Sequence, residues 1–173
     1  MKYMVVYTSK TGNTEKLAAE IFGALPGGSK DIQRVEEVRG DADTYFVGFW
    51  NDKGTCCESV MDFLATLRGK EVALFGTSGF GSDEGYLKAV SRRVEALLPD
   101  DARFLGSFLC SGRMPPNVLE RFRCMQEKKD TPEIRRMIEA YTRSMLHPDE
   151  TDLQNARRFV EKVLHEKEKG ENR

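Results

Sequence analysis

The chain has 173 residues, 39% hydrophobic and 32% charged, with 27 Lys and Arg against 28 Asp and Glu for a formal net charge of −1. That is enough chain for one domain whose core lies between two helical layers, and too balanced a charge to point to nucleic acid. No run reaches the roughly 18 apolar residues of a membrane span, so no span is expected.

The first predicted element is a strand over about Lys2 to Thr8. A start that is already strand-like leaves no signal peptide to read, and four cysteines without a framework spacing fit a reducing cytoplasm, which is the expected compartment. The strand breaks into the turn Ser9-Lys10-Thr11-Gly12-Asn13. A helix opens at Thr14 and runs to about Leu25, with Leu17, Ala18, Ile21 and Phe22 as its buried stripe, closed by Pro26-Gly27-Gly28. Strand, tight turn and helix N-terminus together leave several backbone N–H groups pointing into one concavity, a geometry that binds phosphate. Ser9, Thr11 and Thr14 add hydroxyls and Asn13 an amide, so the anion is met largely by neutral donors. An ATP-binding loop would need a longer run ending Gly-Lys-Ser/Thr, and a dinucleotide fingerprint three glycines; this turn has neither. The bland alternative, ordinary caps and turn formers, asks for fewer hydroxyls than stand here.

A short second strand at Ile32 to Val35, mixed with Gln33 and Arg34, suits an edge. The third, Thr44 to Phe49, is nearly all apolar, as a central parallel strand is. Trp50-Asn51-Asp52-Lys53-Gly54 follows. Thr55 with Glu58 then reads as a capping box for a helix to about Leu67, with Val60, Met61, Leu64 and Leu67 inward. Cys56 and Cys57 fall just inside that helix start, where a thiol's pKa is lowered; adjacent rather than Cys-x-x-Cys, they read as small fillers. Strand four, Val72 to Phe75, gives way to the loop Gly76-Thr77-Ser78-Gly79-Phe80-Gly81-Ser82-Asp83, and a helix runs from Glu84 to Leu98.

Strand five spans Phe104 to Cys110, and Leu153, Ala156, Val160, Val163 and Leu164 mark the last helix. Between them, about Gly112 to Leu146, lies an extra segment with two amphipathic patterns. They are Val118, Leu119, Phe122 and Met125, then Ile134, Met137, Ile138, Tyr141 and Met145, the second opened by Thr131-Pro132. Its eight Lys and Arg against five Asp and Glu make it the basic part of the chain. Cys110 and Cys124 read as core residues, and His147 as a cap of the last helix. No catalytic constellation and no metal-ligand spacing appears, so neither a catalytic nor a metal site is expected. The alternation predicts an α/β fold: a doubly wound, five-stranded parallel sheet, for which 2-1-3-4-5 is one of the common strand orders, with the extra helical segment between strand five and the last helix. Its ligand belongs beyond the C-terminal strand ends, between the loops after strands one, three and four.

The run Val5 to Thr14, continued by Ala18 and Ile21, resembles the flavin mononucleotide signature of the flavodoxin family. The likeness covers about residues 2 to 110 and resumes at the last helix; the segment at 112–146 is closer to divergent small flavodoxin-like proteins of anaerobic bacteria. The resemblance implies a single domain over 1–173, with a core of 1–111 and 148–167 and an insertion at 112–147. It also implies FMN held non-covalently: the phosphate at Ser9, Lys10, Thr11, Gly12, Asn13 and Thr14, the ring between Trp50, Asn51, Asp52, Lys53 and Gly54 on one side and Thr77, Ser78, Gly79, Phe80 and Gly81 on the other. Trp50 would stack on the ring and Phe80 cover its outer face, while Lys10 or Lys53 would favour an anionic reduced flavin. The net charge departs from the acidity usual in the family, which weakens the case for docking through a strong negative field. Three functions follow: an electron carrier serving a redox partner protein or reductase, an FMN-dependent NAD(P)H oxidoreductase acting on a small acceptor, or a cofactor-free interaction module.

Overall fold

The computed structural model describes residues 2–80 and 83–171. Its elements are β1 (Tyr3–Tyr7), α1 (Asn13–Ala24), β2 (Lys30–Arg34), a 3-10 turn (Val35–Glu37), β3 (Thr44–Trp50), α2 (Glu58–Ala65), β4 (Glu71–Ser78), α3 (Glu84–Glu95), β5 (Arg103–Ser111), α4 (Pro116–Lys128), α5 (Pro132–Ser144) and α6 (Glu150–Glu171). The five strands form one parallel sheet in the order β2-β1-β3-β4-β5, the order that the flavodoxin resemblance implies. The extra helices α4 and α5 lie between β5 and α6.

Alternate residues of the central strands feed two cores, which is why those strands read as continuous apolar runs. Tyr3, Val5, Tyr7, Phe46 and Phe75 face the layer of α1 and α6, joining Leu17, Ile21, Ala156 and Val160. Met4, Val6, Val47, Phe49 and Leu74 face the layer of α2 and α3, joining Val60, Leu64, Val90 and Val94. Each fully buried Leu, Val or Phe contributes about 1.5–3 kcal/mol of transfer free energy. Gly48 makes one of these contacts possible: a Cβ there would stand 2.2 Å from the Phe75 ring. β2 is partly exposed along its whole length and pairs only with β1, the edge position its polar mixture predicts.

Two of the boundaries that differ from the sequence reading bear on the loops at the C-terminal edge of the sheet. β4 runs on through Gly76, Thr77 and Ser78, because β3 pairs with it as far as Thr77 and β5 as far as Ser78. α2 begins at Glu58 with Cys57 as N-cap and no side-chain cap, so Thr55 and Glu58 form no capping box. Thr55 instead exchanges backbone bonds with Asp52, N to O at 2.8 and 3.2 Å, closing a two-residue turn. Lys53 (φ 53°) and Gly54 (φ 95°) occupy that turn with the paired positive φ values of a type I′ hairpin.

The last helix is tied across the N-terminal edge of the sheet. Lys167 is 7% exposed; its Nζ donates to Thr44 Oγ1 at 2.7 Å and lies 2.8 Å from Glu71 Oε2, while Arg103 Nη1 holds the other Glu71 oxygen at 2.9 Å. A depression of about 620 Å3 at this edge is lined by Lys167 and Glu71 together with Lys2, Asp43 and Lys70. Among the described residues no helix is long and apolar enough to cross a membrane.

Candidate functional site

β1 ends at Tyr7 and α1 begins at Asn13, so five residues must reverse the chain at the C-terminal edge of the sheet. Gly12 is the N-cap at φ 85°, a left-handed conformation that favours glycine. No side chain caps the helix, and the first N–H bonded within its opening turn is that of Lys16, to Gly12 O at 3.0 Å. The N–H groups of Asn13, Thr14 and Glu15 ahead of it therefore carry no helical bond. Ser9 Oγ accepts from Gly12 N at 3.1 Å and Thr11 Oγ1 from Asn13 Nδ2 at 2.9 Å. A hydroxyl that accepts inside the loop keeps its own proton to donate outward, which suits an anion. The Asn13 and Thr14 side chains, expected at the phosphate, also have partners within the fold. The Asn13 amide bonds Thr11 and, at 2.8 Å, Arg113 O; the buried Thr14 hydroxyl sits 3.0 Å from Thr77 Oγ1 and faces Phe49 O.

The loop after β3 is fixed by one side chain. Asn51 donates its Nδ2 to Ser78 Oγ and Tyr86 OH, both at 3.0 Å, and accepts from Gly54 N at 2.9 Å. Gly54 faces Arg93, whose Nη1 donates to its carbonyl at 3.1 Å. Trp50 stands half-buried at the end of β3 with the Lys10 ammonium 4.0 Å from its ring centroid, a cation–π contact that joins the first and second loops. Phe80, on the loop after β4, is 52% exposed, with its ring 6.3 Å from that of Phe122.

These loops enclose a cavity of about 570 Å3, within the range of small-molecule sites. Ser9, Lys10, Thr11, Asn13, Thr14, Trp50, Asn51, Asp52, Thr77, Gly79 and Phe80 line it. Gly12, Lys53, Gly54 and Ser78 support the lining without joining it, and Gly81 lies outside the described residues. The remaining wall comes from the extra segment: Arg113, Met114 and Pro115 before α4, Val118, Arg121 and Phe122 on α4, and Met137 on α5. Sequence reasoning missed all seven as site residues. Amphipathic spacing marked α4 and α5 as helices but not the surface they meet. They pack on each other around Met114, Phe122 and Tyr141. Gly112 seats the segment against the phosphate-type turn, since a Cβ there would lie 2.9 Å from Asn13 Nδ2 and 3.0 Å from Thr77 Cβ.

The cysteines stand apart from this cavity. Cys56 lies before α2 and is 1% exposed, and burial pushes its thiol up to about 11, the reverse of the helix-terminus lowering expected from sequence. Burial likewise pushes Cys110 well up, with the Asp152 and Asp149 charges adding. Cys124 is exposed rather than a core residue. His147 does not cap α6: Asp149 and Asp152 cap it reciprocally, each accepting from the other's N–H at 2.9 Å, and His147 Nδ1 sits 2.6 Å from Asp152 Oδ2.

The sequence model of the Flavodoxin domain family matches residues 4–161. A flavodoxin-like domain-containing protein BilS of Clostridium symbiosum (strain WAL-14163) is 33% identical over 181 residues, covering 92% of this chain and 94% of its own. The protein of the same name from Clostridioides difficile (strain CD3) is 32% identical over 171 residues, covering 95% and 97%. Among solved structures, two-electron reduced Megasphaera elsdenii flavodoxin is similar at 28% identity and a TM-score of 0.50, over 82% of this chain and 98% of that one.

Proposed function

Since the chain belongs to the flavodoxin-like family, we propose that it binds one FMN and works as an electron carrier for a redox partner protein. The observation that carries this reading is one cavity with two chemically distinct ends: the hydroxyl-rich turn at the start of α1, and the aromatic face of Trp50. The residues present fit the cofactor. Ser9 and Thr11 have protons to donate to a phosphate, the N–H groups opening α1 add to them, and Trp50, Phe80 and the apolar residues of α4 suit a flat ring. Asn51, held on three sides, keeps the loop beneath Trp50 in place. When bound, FMN supplies the ring that takes up and returns electrons; the protein orients it, limits water and sets its charge environment. The partner is then an oxidoreductase with a redox centre of its own. With FMN loaded under anaerobic conditions, NAD(P)H alone should reduce the protein slowly, and adding a flavin reductase should speed reduction at least tenfold. Rapid turnover with NAD(P)H and a small acceptor, without a second protein, would replace the carrier reading with that of an oxidoreductase.

A further inference from the structure

We propose that Arg113 and Arg121, together with Lys10, make this site cationic and bias it toward the fully reduced flavin anion; the inference rests on the FMN reading above. Among the described residues, three cations line the cavity against one carboxylate, Asp52. A chain with net charge −1 thus places a surplus of two positive charges around this one site. Two of the three cations come from the segment between β5 and α6, so the bias is a property the insertion adds to the fold.

The positions are built rather than incidental. Arg113 is held at the turn by the bond from Asn13 Nδ2 to its carbonyl and by the close packing of Gly112 on Asn13 and Thr77. Arg121 lies three residues after Val118 on α4, and both line the cavity, as neighbours on one helical face do. Among the described residues neither guanidinium is in a salt bridge, so their charge is not spent on a carboxylate. Lys10 is fixed over Trp50, the residue assigned to the ring. An arginine keeps its charge throughout the working pH range, so the field is constant.

Oxidised flavin has a neutral ring. Two electrons with two protons leave it neutral, whereas two electrons with one proton leave one negative charge on it. A surplus of fixed cations lowers the free energy of that anion relative to the oxidised ring, more strongly as the ligand displaces water from the cavity. Both arginines are exposed, so solvent screens part of the effect and the expected size is modest.

The test is to titrate the apoprotein with FMN in oxidised and in dithionite-reduced form, for the native chain, for Arg113→Gln with Arg121→Gln, and for Arg113→Lys with Arg121→Lys. The Gln pair should lose roughly tenfold more affinity for reduced than for oxidised FMN, about 30 mV for a two-electron couple. The Lys pair, which keeps the charges, should retain the native ratio. Equal losses in both redox states would assign the guanidinium groups to the phosphate and overturn the proposal, as would an unchanged ratio in the Gln pair. Failure of the native chain to bind FMN in either state would instead remove the FMN reading itself, and this inference with it.

Discussion

Trp50 carries the sharpest claim at the scale of single residues. It is half-buried, held by the Lys10 ammonium, and lines the cavity at the end of β3, where a core residue would be covered by neighbours. Stacking a ring on it would bury on the order of 100 Å2, about 2.5 kcal/mol. Trp50→Ala should therefore weaken FMN binding by about 1.5–3 kcal/mol in a fluorescence titration, while the urea midpoint of the apoprotein stays within about 1 kcal/mol. Unfolding of the variant, with unchanged affinity per folded molecule, would make Trp50 a packing residue. Trp50 and the Ser9–Thr14 turn were legible because a local pattern of strand, hydroxyls and helix specifies them. Arg113 and Arg121 were not, because their place in the cavity depends on how a helical segment more than 90 residues away in sequence seats itself through Gly112.

Among the elements, α6 is the one whose attachment is least ordinary. Its buried Lys167 reaches Thr44 and Glu71 beneath the sheet, with Arg103 completing the cluster. Burial works to raise the Glu71 pKa, but Lys167, Thr44 and Arg103 outweigh it and hold the carboxyl below its usual range. A carboxylate with a depressed folded pKa stabilises the fold above its unfolded pKa, about 4.3, and that contribution disappears as pH falls through the folded value. Thermal melts between pH 7 and 3 should show this loss, and Glu71→Gln should flatten it. Lys167→Ala, which leaves Glu71 to Arg103 and Thr44, should cost roughly 1–3 kcal/mol at pH 7 in urea unfolding. A cost near zero would mean that water already screens the cluster. The stripe of α6 was plain in the sequence, since Leu153, Ala156, Val160 and Val163 repeat at helical spacing. The end of β4 was hidden for a physical reason. Gly76, Thr77 and Ser78 have loop-like side chains, yet both neighbouring strands supply their ladder bonds.

At the scale of the whole molecule, a near-neutral total conceals an uneven distribution. The segment from 112 to 146 holds eight Lys and Arg against five Asp and Glu, and it forms one wall of the cavity while its outer side remains in solvent. The parallel sheet followed from the alternation of strands and helices, and its order from the likeness of the Val5 to Thr14 run to the flavodoxin signature, because right-handed crossovers alone allow more than one arrangement of five parallel strands. The placement of α4 and α5 did not, since two amphipathic helices that cover each other are free to sit wherever their connections allow. Central to the proposed function is that the turn opening α1 holds the phosphate of a flavin whose ring lies against Trp50. Titration of the apoprotein with FMN and with riboflavin, followed by flavin fluorescence, tests it most directly. Saturation is expected at about one FMN per chain, with an affinity for riboflavin weaker by at least tenfold, since riboflavin leaves the hydroxyl and N–H donors of the turn unused. Equal affinity for the two would contradict the phosphate site, and no measurable binding of FMN would overturn the proposed function.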